Sequence, residues 1–174
     1  MELSQKAYEK IDQWSHSRKK IIRPDWDITF LEQAYNWSKR SHDAETQHRA
    51  VLTTQDRRVI ATGYNGFIRG INDNILPNTR LDNKYVWLLH SENNCILDCA
   101  YQGKSAKNSI MYVTGEPCLN CYQLMYQAGV VEIVYGNRSS NMINTDEDYR
   151  INVEIFLYLT KDKLKVRHVD YSGV

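Results

Sequence analysis

Apolar residues recur at helical intervals at Leu3, Ala7, Ile11 and Trp14, ahead of the basic stretch Arg18-Lys19-Lys20 and of Pro24. This pattern predicts a short amphipathic helix leading into the chain. A second helix is expected from Asp27 to about Ser41, because Phe30, Leu31, Ala34, Tyr35 and Trp37 share one face. The stretches "RAVLTT" and "RRVIATGY", joined across Gln55 and Asp56, are rich in β-branched residues and predict a hairpin. From Gly63 to Tyr85 the periodicity is lost among glycines, asparagines and Pro77, so a long loop is expected, of a length that often carries function. Helix and strand signals then alternate. They predict a helix from about His90 to Gln102, a strand at "SIMYVT", a helix from about Cys118 to Ala128 and a strand at "VVEIVY". Ile151, Ile155, Tyr158 and Leu159 mark a further helix, and "LKVRHV" a last short strand. Two strands followed by repeated helix–strand units predict an α/β fold, a three-layer α/β/α sandwich on a mixed five-stranded sheet. Residues 1–22 are expected to form an N-terminal helical extension and 23–174 one domain.

Composition narrows the function classes. A chain of 174 residues, 42% hydrophobic, suffices for one buried core. Its 22 Lys and Arg against 21 Asp and Glu leave a formal charge of +1, without the basic footprint that polymeric nucleic acid or an anionic membrane would require. No apolar run is long enough to span a bilayer, and "MELSQKAYEK" lacks the apolar stretch of a secretory signal, so a cytoplasmic location is expected. The four cysteines, Cys95, Cys99, Cys118 and Cys121, are too few and too clustered for a disulfide framework, which leaves reduced thiols or metal ligands.

The chemistry lies in two short motifs. His90 and Glu92 form H-x-E at the expected start of one helix; Pro117, Cys118 and Cys121 form P-C-x-x-C at the expected start of the next. A C-x-x-C pair alone suits a redox, structural or zinc site equally. With His90 it makes three ligands, and three ligands leave the fourth tetrahedral position open, as in a catalytic rather than a structural zinc site. Glu92 then has a role as proton shuttle. Pro117 is expected in the first helical turn, where its missing N–H is harmless, with Cys118 at the positive end of the helix dipole. A structural zinc would need a fourth protein ligand, for which Cys95 and Cys99 are candidates. Their spacing among Ile96 and Ala100 instead suits packing in the core. The pairing of H-x-E with P-C-x-x-C is the signature of zinc nucleobase deaminases.

Beyond these motifs, the chain resembles the deoxycytidylate (dCMP) deaminases of the cytidine deaminase superfamily from about Arg23 to His168. "RPDWDITFLEQAYNWSKRSHDAETQ" is similar to the family's opening segment, "ATGYNGFIRG" to its G-Y-N-G-x-P-x-G loop, and "NDNILP" and "DNKYVW" to the lead-in to its zinc histidine. "MYVTGEPCLNCYQLMYQAGVVEIVY" is similar to its second zinc segment. The resemblance implies that His90, Cys118 and Cys121 hold Zn2+, that Glu92 shuttles the proton, that Asn65 binds the sugar or phosphate and that Thr114 and Gly115 lie along the base. It further implies hydrolysis of dCMP to dUMP and ammonia, a homo-oligomer that is commonly a hexamer, activation by dCTP with Mg2+, and inhibition by dTTP. The partners are thus small nucleotides, with no polymeric nucleic acid and no membrane.

Several positions depart from that pattern. Ser91 and Cys95 stand where the family has alanines, and His48 and Arg49 where it has valine and glycine, which would alter phosphate or effector binding. Ile68 replaces a proline and Gly115 a larger residue, so that a 5-substituted dCMP would fit. Two other readings stay open: a deaminase of another base, such as tRNA adenosine or a riboflavin-pathway pyrimidine, and a weakly catalytic nucleotide-binding protein.

Overall fold

A computed structural model describes residues 2–79, 83–138 and 146–173, and places five strands in one sheet in the order β2-β1-β3-β4-β5. The strands are β1 (Arg49–Thr53), β2 (Val59–Tyr64), β3 (Ser109–Val113), β4 (Val130–Tyr135) and β5 (Lys165–His168). β1 runs antiparallel to β2 and β3, with Val51 opposite Thr62 and Tyr112, whereas β3, β4 and β5 are parallel. The sheet is therefore mixed.

Alternation along the strands divides the core in two. Val51, Ile110, Tyr112 and Val134 face Phe30, Leu31 and Ala34 of α2 (Trp26–Ser38). Ala50, Leu52, Met111, Val113 and Ile133 face the other way, into a larger cluster with α3 (Ser91–Tyr101), α4 (Leu119–Gln127) and α5 (Glu147–Thr160). Each large apolar side chain so buried contributes about 1.5–3 kcal/mol, so helices on both faces hold the sheet. The three-layer sandwich expected from the pattern is the fold observed. Ahead of it lies α1 (Gln5–Ser17), capped by Ser4 and without a buried residue. No helix among the described residues is long and apolar enough to cross a membrane.

Two element boundaries differ from expectation. α2 stops at Ser38 instead of running to Ser41, because its last carbonyls find other donors: the Ser38 hydroxyl bonds the Tyr35 carbonyl at 2.7 Å and the Arg49 guanidinium takes that of Trp37. β2 starts at Val59 instead of Arg57, whose φ of 69 lies outside the extended region, and ends at Tyr64 as expected, so the long connection begins at Asn65; it contains two 3-10 turns, Asp73–Ile75 and Lys84–Val86. Residues 80–82, within the expected loop and the "DNKYVW" segment, lie outside the described residues. Fully buried Lys84 ties the end of this loop to the approach to β1, its Nζ lying 2.5 Å from Asp43 and 2.8 Å from Glu45.

The first turn of α3 lies directly on β2. A Cβ at Gly63 would stand 2.2 Å from the Ser91 carbonyl oxygen and 2.3 Å from the Cys95 amide nitrogen, so only glycine allows this approach. Gly63→Ala should therefore lift α3 from the sheet and destabilise the protein by about 1–3 kcal/mol, read as a lower urea midpoint with an unchanged slope.

Candidate active site and metal centre

His90 and Cys118 occupy equivalent places. Each is the N-cap of its helix, with extended backbone (φ −66, ψ 154 for His90; φ −71, ψ 162 for Cys118), and neither makes the usual side-chain cap bond. They face each other instead. His90 Nδ1 lies 3.5 Å from Cys118 Sγ and 3.4 Å from Cys121 Sγ, and the three donor atoms fall within 4.8 Å of one another. Cys121 joins because an N-cap side chain naturally reaches the N3 residue, which here carries the second thiol. Pro117 is thus one residue before the N-cap, not in the first turn as expected; the chain leaves β3 extended, and Cys118 has to stay outside the helix for its thiol to turn back.

This donor set suits a tetrahedral zinc, for which bonds of about 2.0–2.3 Å place neighbouring nitrogen and sulfur ligands roughly 3.6 Å apart. The groups already share protons as such a site would. A hydrogen bond from the Cys121 thiol, reinforced by His90, holds Cys118 down to about 4, while the same bond and burial push Cys121 up. The Cys118 bond in turn raises His90. Metal binding would displace these protons, and two helix N-termini supply positive dipole ends that favour thiolate.

Glu92, in the first turn of α3, is buried, and the Cys121 thiol donates to its neighbour Asn93 at Oδ1, 3.5 Å away. Burial pushes the Glu92 carboxyl above the ordinary carboxylate range, against the pull of His90 and of the Ser91 hydroxyl, which donates to Oε2 at 2.8 Å. A carboxyl so placed can both take up and release a proton. Ser91, noticed in the sequence only as a departure, orients it. Cys95 and Cys99 lie in the core, apart from the cluster.

The other candidate residues surround this centre. Asn65 is buried, and its side chain joins two segments: Oδ1 accepts the Ser91 N–H at 3.0 Å and Nδ2 donates to the Thr46 carbonyl at 3.0 Å. Thr114, just past β3, has no exposed surface; its hydroxyl accepts the Arg49 N–H at 3.2 Å and contacts His48 Nδ1 at 3.1 Å. At Gly115 a Cβ would fall 1.9 Å from the Arg138 carbonyl oxygen and 2.9 Å from His48 Cε1, so the missing side chain opens no room for a larger base. Arg49 is buried too, with its guanidinium against the Tyr64 ring at 4.4 Å and bonded to the Trp37 carbonyl, and desolvation lowers its pKa to about 10. It packs the sheet and is not presented to a nucleotide phosphate. Tyr149, in α5, was not marked by any spacing, yet its hydroxyl oxygen accepts the Leu119 N–H at 2.6 Å beside Cys118.

Comparison with known proteins agrees with this geometry. Residues 24–137 match the model of the cytidine and deoxycytidylate deaminase zinc-binding region. A probable deoxycytidylate deaminase of Drosophila melanogaster is 32% identical over 131 residues, 70% of this chain and 63% of that protein. Human deoxycytidylate deaminase is 31% identical over 116 residues, 64% of each chain. The chain thus spans less than two thirds of the length of these relatives. In fold it is similar to dCMP deaminase from the cyanophage S-TIM5, solved in complex with dCMP and dUMP, with a TM-score of 0.65, 22% identity, and coverage of 86% of this chain and 100% of that one. The match over residues 24–137, with H-x-E and P-C-x-x-C brought together inside it, means that the chain belongs to the cytidine and deoxycytidylate deaminase family.

Proposed function

We propose that the protein catalyses zinc-dependent hydrolytic deamination of dCMP to dUMP and ammonia. The observation that carries this reading is the convergence of His90, Cys118 and Cys121, with the buried carboxylate of Glu92 in the first turn of the helix that His90 opens. Support for the substrate comes from the deoxycytidylate deaminases among the relatives and from the S-TIM5 enzyme that binds dCMP and dUMP. Zinc on the three ligands would supply Lewis acidity, enough to bring the pKa of a coordinated water to about 7. Glu92 then takes one proton from the attacking water and delivers it to the ring nitrogen N3, and takes the second from the resulting C4 hydroxyl and delivers it to the departing amino group. The C4–N bond breaks, the water oxygen remains on C4 as the carbonyl, and nitrogen leaves as ammonia.

Asn65 is proposed to hold the sugar or phosphate. An asparagine amide has two donors and two acceptor lone pairs, and one of each remains beyond the bonds to Thr46 and Ser91. Thr114 and Gly115 are proposed to bound the base by shape, since the Thr114 hydroxyl is engaged within the protein. A homo-oligomer, hexameric as in the family resemblance, and control by dCTP with Mg2+ and by dTTP are proposed on the same footing.

Ammonia release from dCMP, 5-methyl-dCMP, dCTP, deoxycytidine and CMP, each with and without dCTP and Mg2+, tests the substrate. Turnover should be greatest with dCMP; turnover of a non-cytosine base alone would contradict the proposal. Glu92→Gln should retain stoichiometric zinc while kcat falls about 10²–10⁴-fold or more, as loss of a general acid–base group predicts. For Asn65→Ala, a substrate contact predicts a KM for dCMP raised about tenfold, or roughly 1.4 kcal/mol, whereas a purely structural role predicts lower stability with KM unchanged.

A further inference from the structure

Both metal-ligating N-caps leave the first amide of their helix to another residue. In α3 that amide belongs to Ser91 and is accepted by Asn65. In α4 it belongs to Leu119 and is accepted by the Tyr149 hydroxyl at 2.6 Å. The hydroxyl oxygen accepts this bond, so its proton is free to be given, and the bond holds it against the residue that directly follows Cys118. Tyr149 is itself fixed: it lies in the first turn of α5, where the Asp146 side chain accepts the Tyr149 N–H at 3.2 Å and caps the helix. A chain of contacts thus runs from the α5 cap through one half-buried phenol to the α4 N-terminus, beside the metal-ligand Cys118. Tyr149 stands 31 residues from Cys118 and beyond residues 24–137, where the family match ends.

We infer that Tyr149 is a positioning residue for the metal centre: its hydroxyl caps α4 in place of Cys118 and donates a hydrogen bond to the Cys118 sulfur, holding that thiolate toward His90 and Cys121. The inference rests on the metal-site reading above. A donor to a ligating thiolate draws charge from the sulfur and fixes its lone pairs, and outer partners of this kind typically change metal affinity by about 10–100-fold when removed.

The test uses the full chain loaded with Co2+, followed by its thiolate-to-cobalt charge-transfer band, and zinc affinity by competition with a chromophoric chelator. Neither readout needs turnover. Tyr149→Phe should move the band to lower energy and weaken zinc about tenfold or more. Replacing Leu119 by its α-hydroxy acid, an amide-to-ester exchange, removes the amide hydrogen without adding bulk against the phenol 2.6 Å away, and leaves the phenol its sulfur bond. Its band and zinc affinity should match the parent. An unchanged band and affinity in Tyr149→Phe would overturn the inference, as would equal weakening by both variants, which would reduce the phenol to a helix cap. Absence of any thiolate-to-cobalt band in the parent would overturn the metal-site reading and this inference with it.

Discussion

The site depends on two helix N-caps that do not cap. An N-cap side chain ordinarily satisfies an amide of its own first turn, a bond whose loss costs about 0.5–2 kcal/mol. His90 and Cys118 instead turn toward each other, while Asn65 and Tyr149 accept the N1 amides of α3 and α4. The exchange needs both helices to be placed correctly along their axes. Gly63 does this for α3 by letting the Ser91 carbonyl and the Cys95 amide settle on β2, and the extended exit from β3 through Pro117 does it for α4. The geometry of the His90, Cys118 and Cys121 cluster is thereby built from backbone placement, with few side chains spent on it.

Much of this was legible in the sequence because its signals are local. The short apolar and β-branched strand runs, the helical spacing around Phe30 and Ile155, and the spacings H-x-E and P-C-x-x-C each involve a handful of neighbouring residues, and they led to the sandwich and to the cluster of His90, Cys118 and Cys121. What was not legible depends on contacts between distant segments. Tyr149 meets Leu119 across two elements, and Lys84 meets Asp43 across the whole hairpin; no periodicity records either. The same limit explains the misplaced Pro117, since proline suits both the first turn and the residue before the N-cap, and only the demand on the Cys118 thiol separates the two.

The unusual residues of the first strand show how tertiary context decides a side chain's role. His48 and Arg49 look, in sequence, like groups available to a phosphate. In the fold, Arg49 is desolvated between Trp37 and Tyr64 and His48 is turned onto Thr114 and Gly115, so both brace the end of β3 from which the chain enters the metal segment. The space left by glycine at 115 is filled by the Arg138 backbone and the His48 ring.

The central claim is that three protein ligands hold one catalytic zinc ion. X-ray absorption at the zinc edge of the purified protein, with metal content measured on the same sample, tests it most directly. One zinc per chain bound by two sulfurs at about 2.3 Å, one imidazole nitrogen at about 2.0–2.1 Å and one light atom not supplied by the protein is the result predicted here. A shell with a third or fourth sulfur, drawn from Cys95 or Cys99, or zinc well below one per chain, would contradict it.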